Sequence, residues 1–346
     1  MALSFRRSRS AFLVSAAVLI GMALPASAAT TLRFAHFWPA GSAINQEVFK
    51  PWAEAVEGES DGALKVQIFP SQTLSKADQS YKATVNGLAD ITATAQGYTA
   101  RRFPLTQIIE LPGVSSSAPQ GSCIAQTLFD ENEALANEYR DSHVLFMFTT
   151  GQGFINTRDT AVRKPSDLDG LRIRRPTAVV GEMLSSLGAQ SVGMPAPQAY
   201  QAMQRGVIDG TTLPWEGMKT FRLNELSHYH TQMPLYTLAF VATMSKRSYE
   251  RLPDDLKQVI DDNSGMKWAR KAGEVFAAED AAGRAQAEGP EHTIIEIDAP
   301  LEDPDWGPPL KKATEGYLES LESRGRPARA VYEQAMKAAE TCAVSG

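Results

Sequence analysis

The sequence predicts an α/β protein of two lobes with a central cleft between them. Strand and helix patterns alternate in two separate stretches of the chain, as they do in parallel sheets covered by helices. The chain has 346 residues, of which 317 follow the leader described below, enough for two domains of about 150 residues each. An alanine-rich helical pattern near the C-terminus is longer than one domain usually needs, so we expect a long helix shared by both lobes.

Residues 1–29 have the pattern of a secretory signal peptide. Three arginines and no acid come first, an apolar run covers residues 11–24, and Ala26-Ser27-Ala28 provides the small residues of a cleavage site. We therefore expect an exported protein whose leader is removed. No later apolar run reaches the roughly 18 residues that a membrane helix needs, so we expect no membrane insertion of the mature chain.

Composition and charge exclude several classes of protein. Apolar residues make up 43% of the chain, and the glycines raise this share to about half, which is usual for a globular fold and excludes disordered and low-complexity architectures. The formal net charge of −6 becomes −9 when the three leader arginines are removed. Such an acidic chain is poorly suited to bind nucleic acid or an anionic membrane surface.

The first stretch has the order strand, helix, strand, helix, strand. Strands are predicted at residues 31–36, 64–69 and 90–95, where polar and apolar residues alternate or β-branched residues cluster. Apolar residues at every fourth position from Ile44 to Val56 predict an amphipathic helix. The second helix is predicted at residues 76–86, before Gly87.

The second stretch repeats this order. We predict strands at residues 144–149, 171–175 and 235–244, and helices at residues 179–187 and 198–206. The apolar segment between Pro104 and Pro112 is predicted as an edge strand or a connection, because prolines bound it on both sides. From Pro253 the helical pattern continues to Gly289, which corresponds to a helix of about 50 Å.

Neither the cysteines nor the histidines indicate catalysis. In an exported protein the pair Cys123 and Cys342 favours a disulfide, since neither lies in a C-x-x-C motif or beside a histidine. The close pair His228 and His230 is expected on a polar surface strand or in a loop. Motifs of serine hydrolases, zinc proteases and nucleotide-binding enzymes are absent from the sequence. We predict no enzyme and no cofactor or metal, although an enzyme built from dispersed carboxylates remains open.

Three arginines occupy the strand that follows residues 167–170. Arg172 and Arg174 share one face of this strand, and Arg175 points to the other. A guanidinium at the carboxyl end of a strand suits a ligand carboxylate, because its planar fork offers two parallel donors. Arg172 and Arg175 are expected to be surface charges.

The chain resembles the periplasmic solute-binding proteins of tripartite ATP-independent periplasmic (TRAP) transporters, the DctP-like group. Nine segments carry the resemblance in order, at residues 32–36, 69–74, 85–91, 103–105, 111–112, 167–174, 187–189, 194–195 and 200–210. The resemblance implies a two-lobed periplasmic binding protein fold and a small organic acid ligand. It also implies a periplasmic location and delivery of the ligand to membrane permease subunits without ATP.

On this basis lobe I is expected at residues 30–150 and 241–280, and lobe II at residues 151–240 and 281–330. The C-terminal tail, residues 331–346, is expected to be tied to lobe I by the disulfide between Cys123 and Cys342. The cleft between the lobes is the expected ligand site.

The resemblance also implies the ligand contacts. In the family, the arginine that aligns with Arg174 makes the bidentate contact to the ligand carboxylate. The other contacts are expected at Phe37, Trp38, Gln96, Tyr98, Phe154, Asn156, Trp215 and Glu216. Tyr236, which begins a strand that returns across the cleft, is a further expected lining residue.

Departures from the family pattern bear on the ligand. Sialic-acid-type members place a second basic residue near Phe154 and an asparagine near Pro214 or Trp215, where this chain has an apolar residue and an aromatic one. Few donors would then face ligand hydroxyls, each of which loses about 1–3 kcal/mol if buried unpaired. We therefore expect a monocarboxylate with an apolar or aromatic body. A receptor that serves a sensor kinase, a secreted enzyme on the same fold, an ABC-type binding protein and ordinary core packing of each aromatic remain alternatives.

Overall fold

The computed structural model describes residues 29–343, so the predicted signal peptide lies, apart from its last residue, outside the described residues. The strands are β1 (Thr30–His36), β2 (Leu64–Phe69), β3 (Ile91–Ala95), β4 (Ser142–Thr157), β5 (Arg172–Arg175), β6 (Gln190–Gly193), β7 (Gly210–Leu213), β8 (Tyr229–Ser245) and β9 (Thr293–Glu296). The helices are α1 (Lys50–Glu59), α2 (Ser80–Val85), α3 (Ala118–Glu131), α4 (Glu133–Ala136), α5 (Ala178–Ser186), α6 (Ala196–Gln204), α7 (Trp215–Thr220), α8 (Lys246–Glu250), α9 (Asp254–Asp262), α10 (Met266–Gln286), α11 (Gly307–Glu322) and α12 (Ala328–Thr341).

A single mixed sheet of nine strands runs through the molecule in the order β2-β1-β3-β8-β4-β7-β5-β6, with β9 beside β8. Strands β1, β2 and β3 are parallel and belong to the first lobe, and β5, β6 and β7 are parallel and belong to the second. The long strands β4 and β8 pair antiparallel and connect the two lobes. Both strands extend beyond the predicted residues. The prediction missed their second-lobe parts because glycine and polar residues are mixed there with apolar ones.

The two lobes repeat one arrangement of residues. Arg33 of β1 donates from Nε to Asp90 at 3.0 Å, and Arg172 of β5 donates from Nε to Asp209 at 2.9 Å. Each aspartate also accepts the backbone N–H of its arginine at 2.9 Å. Because Asp90 and Asp209 directly precede β3 and β7, each ion pair fixes the start of a central strand. Arg172 is therefore a partly exposed structural charge at the end of the lobe away from the cleft.

The segment between Pro104 and Pro112, predicted as an edge strand or a connection, is a connection. It forms a 3₁₀ turn at Thr106–Glu110. The Glu138 carboxylate accepts hydrogen bonds from the backbone N–H groups of Leu105 and Thr106 at 2.9 and 3.0 Å. These groups are therefore not available to a neighbouring strand.

The helix predicted from Pro253 to Gly289 is broken into α9 and α10. The break is at Gly265, whose φ of +77° is strained for any other residue. The Asn263 carbonyl there accepts the indole N–H of Trp52 at 2.7 Å.

Helix α10 still spans both lobes, as predicted, over 21 residues. Gly273 lies against the first turn of α3, where a Cβ would come within 2.8 Å of the Ala118 carbonyl oxygen. Gly283 lies against the Trp215 carbonyl, where a Cβ would overlap it. These two close approaches attach one helix to α3 and to α7.

The predicted disulfide is confirmed. Cys123 of α3 is bonded to Cys342, which follows α12, across 219 residues of sequence. The bond holds the C-terminal helix against α3. Among residues 29–343, no helix is long and apolar enough to cross a membrane.

Candidate functional site

Arg174 lies at the carboxyl end of β5 and is completely buried. Its Nε donates to the Met194 carbonyl at 2.8 Å, and its Nη1 donates to the Thr212 carbonyl at 3.0 Å. Its Nη2 donates to the Tyr98 hydroxyl oxygen at 3.2 Å. These bonds fix the plane of the guanidinium and use three of its five N–H donors.

The Arg174 charge has no counter-ion in the described part of the chain, since no Asp or Glu oxygen lies within 4.0 Å of it. One N–H donor remains on each Nη atom. A carboxylate bound end-on would use one donor from each Nη atom. The side-on alternative would need Nε, which the Met194 carbonyl already occupies.

Tyr98 connects the two lobes beside Arg174. It follows β3 of the first lobe, and its hydroxyl oxygen accepts from Arg174 and from the backbone N–H of Ala196 at 3.0 Å, both in the second lobe. In both bonds the oxygen is the acceptor. The phenolic hydrogen is therefore available to a ligand oxygen.

Tyr236 completes the polar group from β8. Its hydroxyl donates to the Thr212 carbonyl at 3.1 Å, the same carbonyl that Arg174 binds. The Tyr236 ring occupies the space where any side chain at Gly153 would stand. Burial is the main reason why the pKa of Tyr236 is raised above its ordinary value, so the side chain is a neutral donor.

An aromatic wall lies next to Arg174 and Tyr98. Phe37 and Trp38, in the loop after β1, stack with their ring centroids 3.9 Å apart. Phe37 lies 5.6 Å from the Tyr98 ring, and Trp38 lies 5.1 Å from the Phe240 ring. All four rings are buried. The structure thus brings five predicted residues together: Arg174, Tyr98, Tyr236, Phe37 and Trp38.

Four other predicted residues form a second group. Phe154 and Trp215 pack against each other at 4.7 Å between centroids, and both line a cavity of about 370 Å³ whose lining does not include Arg174. Oδ1 of Asn156 accepts a hydrogen bond from Nδ1 of His230 at 2.6 Å. Glu216 is fully buried beside Asp280, and burial, followed by the Asp280 charge, raises the pKa of Glu216 to about 8.

Gln96 stands apart from both groups. It is buried, and neither amide atom has a hydrogen-bond partner among the described residues. Gln96 lies beside the Tyr139 phenol in the core of the first lobe. Burial raises the pKa of Tyr139, and the nearby Gln96 amide opposes this rise.

His230 contradicts the expectation of a surface position. It lies on β8 and is completely buried. Its Nε2 atom lies 3.1 Å from Nδ1 of His292. Burial, followed by the charges of His292 and His228, lowers the pKa of His230 to about 3, so the ring is neutral. Within residues 29–343, no three His, Cys, Asp or Glu side chains are grouped closely enough to hold a metal ion.

Sequence reasoning missed Glu110 and Thr177, which lie near Arg174. Thr177 begins α5 and its hydroxyl donates to Oε2 of Glu110 at 2.6 Å. Glu110 is fully buried, and burial raises its pKa to about 8. The available signal was an isolated acid in an apolar segment, Ile108-Ile109-Glu110-Leu111.

A family model and known proteins match this chain. The model of bacterial extracellular solute-binding proteins, family 7 (DctP), matches residues 34–300. A solute-binding protein of Albidiferax ferrireducens is 26% identical over 239 residues, which are 67% of this chain and 70% of that protein.

Two solved structures are more similar in sequence. A TRAP solute-binding protein of Rhodoferax ferrireducens, in complex with copurified benzoate, has 34% identity and a TM-score of 0.85, covering 90% of this chain and 98% of that one. A marine metagenome TRAP solute-binding protein described as specific for aromatic acid ligands, in complex with 3-hydroxybenzoate, has 34% identity and a TM-score of 0.84, covering 91% and 99%.

Proposed function

Because this chain belongs to family 7 of the bacterial extracellular solute-binding proteins, the DctP family of TRAP receptors, we propose that it captures an aromatic or apolar monocarboxylate. It works in the periplasm after removal of its leader and delivers the acid to the permease subunits of a TRAP transporter. The family is one of solute receptors and not of enzymes.

The proposal rests on the buried guanidinium of Arg174. A buried cation without a counter-ion costs several kcal/mol, and an incoming carboxylate removes this cost while forming two charge-assisted hydrogen bonds. The ligand carboxylate binds the free N–H of each Nη atom and accepts the phenolic hydrogen of Tyr98. No other acid in the described residues competes for this position.

The body of the ligand faces the aromatic wall. Phe37, Trp38 and Tyr98 offer ring faces and few donors, so they favour a planar apolar group over a polyhydroxylated one. The benzoate and 3-hydroxybenzoate found in the two related structures have this character.

Ligand binding closes the cleft. Lobe I comprises residues 30–150 and 241–280, and lobe II comprises residues 151–240 and 281–330. The connecting strands β4 and β8 lose their regular pairing between Thr149 and Gln152 and between Gly153 and Ile155, and this irregularity supports a hinge there. Closure brings Tyr98 of lobe I to Arg174 and Ala196 of lobe II.

A ligand screen tests the proposed specificity. Benzoate and 3-hydroxybenzoate should raise the thermal unfolding midpoint by several degrees at saturating concentration, because they bind only the folded protein. Glucuronate and succinate should not. Tighter binding of glucuronate than of benzoate by calorimetry would refute an aromatic ligand.

A transport assay tests delivery to the permease. Uptake of labelled benzoate into vesicles that carry the cognate permease should require this protein.

Replacing Tyr98 by phenylalanine should weaken benzoate binding about tenfold. The variant removes the acceptor of two inter-lobe hydrogen bonds and one donor to the ligand, each worth about 0.5 kcal/mol net, which together correspond to about tenfold. Calorimetry measures the change. Tyr200→Phe is the matched control, since its hydroxyl binds only Glu225 on the surface. Equal affinities of the two variants would exclude Tyr98 from the site.

A further inference from the structure

Glu110 is a fully buried carboxyl group without a cation. Its Oε2 accepts from the Thr177 hydroxyl at 2.6 Å, and its Oε1 is 3.5 Å from the backbone N–H of Ala239 on β8. Within residues 29–343, no Lys or Arg nitrogen lies within 4.0 Å of it. A carboxyl group buried in this way is more stable protonated than ionised.

The contact between Glu110 and Thr177 joins the two lobes. Glu110 belongs to the turn that Glu138 holds in the first lobe, whereas Thr177 begins α5 in the second lobe. Thr177 also lies against Gly97, which has no room for a side chain there. Gly97 immediately precedes Tyr98, the other residue that bonds across the cleft. These contacts therefore form one closure interface around Arg174.

We propose that Glu110 is protonated where it contacts Thr177 in the closed cleft and ionised in the open cleft, so that closing on the ligand takes up one proton. This inference rests on the proposed function, because closure is driven by the bound acid. Glu110 thereby acts as a positioning residue for closure. Its protonation keeps a second negative charge away from the interface that receives the ligand carboxylate.

The surroundings of Glu110 support a single titrating group. The phenols of Tyr236 on β8 and Tyr317 on α11 feel its charge, and burial raises the pKa of both, so they remain neutral. Charged side chains on the neighbouring elements have other partners. In the first lobe Glu138 faces Arg326 and Asp130 of α3 faces Gln126, and in the second lobe Arg174 faces Tyr98. Glu182 of α5 faces Arg324 and Arg175, and Arg329 of α12 faces Glu315.

The pH dependence follows from the two states of Glu110. Burial raises its pKa from 4.5 to about 8 in the closed form, whereas water in the open cleft restores the ordinary value. Between these two values the closed form binds more protons than the open form. A rise in pH therefore favours the open form, and the affinity should fall by up to about tenfold per pH unit in this window.

Proton uptake is measured by titrating benzoate calorimetrically at pH 6.5 in buffers of different ionisation enthalpy. The protein should take up about one proton per benzoate bound, and Glu110→Gln should take up none and lose the pH dependence. Asp130→Asn is the control, because the pKa of this carboxyl group is also raised by burial but its partner is Gln126 within α3, so uptake should stay unchanged.

A second variant covers a failure of Glu110→Gln to fold. Thr177→Val removes the donor to Glu110 and should reduce both affinity and proton uptake, whereas Thr177→Ser should retain them. Benzoate binding without proton uptake, or equal uptake by the protein and Glu110→Gln, would overturn the inference. Absence of benzoate binding would instead refute the proposed function.

Discussion

The Arg174→Ala variant should lose affinity for benzoate by about a thousandfold. The substitution removes a fully buried guanidinium and both donors left for the ligand carboxylate. Arg174→Lys should also bind weakly, because an ammonium group keeps the charge but lacks the planar fork. Calorimetry at constant pH and salt measures both variants.

Arg172→Ala is the matched control for Arg174. It removes an arginine two positions away on the same strand whose partner is Asp209, not the ligand. Its affinity should stay within about twofold of the unaltered protein, since this exposed pair acts on local structure only. Thermal unfolding without ligand should show that Arg174→Ala remains folded, because removal of an unpaired buried charge relieves a cost. Equal loss of affinity in both variants would contradict the assignment of Arg174.

The Gly97→Ala variant should lose benzoate affinity by about a hundredfold through a different route. The new Cβ would overlap Cγ2 of Thr177, which belongs to the opposite lobe. The collision arises only when the cleft closes, so the open form should fold normally and resist closure. Small-angle scattering should show a ligand-induced decrease in the radius of gyration for the unaltered protein and none for this variant.

Gly58→Ala is the control for Gly97→Ala. Gly58 lies in α1, and no other element has an atom within 4 Å of the position of a new Cβ. This variant should bind benzoate and close normally. Full closure and full affinity of Gly97→Ala would mean that the contact between Gly97 and Thr177 is not part of the closure interface.

Much of the fold could be predicted because most of its strands and helices are short and regularly patterned. The extents of β4 and β8 could not, since Gly151, Gly153 and Pro234 interrupt their alternation where the pairing of the two strands is irregular. The break at Gly265 was missed because the residues on either side of it favour a helix. The repeated residues Gly87-Leu88-Ala89-Asp90 and Gly206-Val207-Ile208-Asp209 were a signal of two equivalent lobes that pattern analysis did not use.

The site was harder to predict than the fold. A strand position identifies Arg174, but the sequence does not give the directions of side chains in loops. Phe154 and Trp215 were therefore predicted beside Arg174, whereas in the structure they pack against each other and line a cavity whose lining does not include Arg174. Glu110 and Thr177 are 67 positions apart in the sequence, and only the packing of the lobes brings them together.

A crystal structure with benzoate tests the role of Arg174 most directly. The carboxylate should lie about 2.7–2.9 Å from both Nη atoms of Arg174, with the Tyr98 hydroxyl donating to it and the ring against Phe37 and Trp38. Benzoate in the cavity of Phe154 and Trp215, with the Arg174 guanidinium bound only to Met194, Thr212 and Tyr98, would contradict this account.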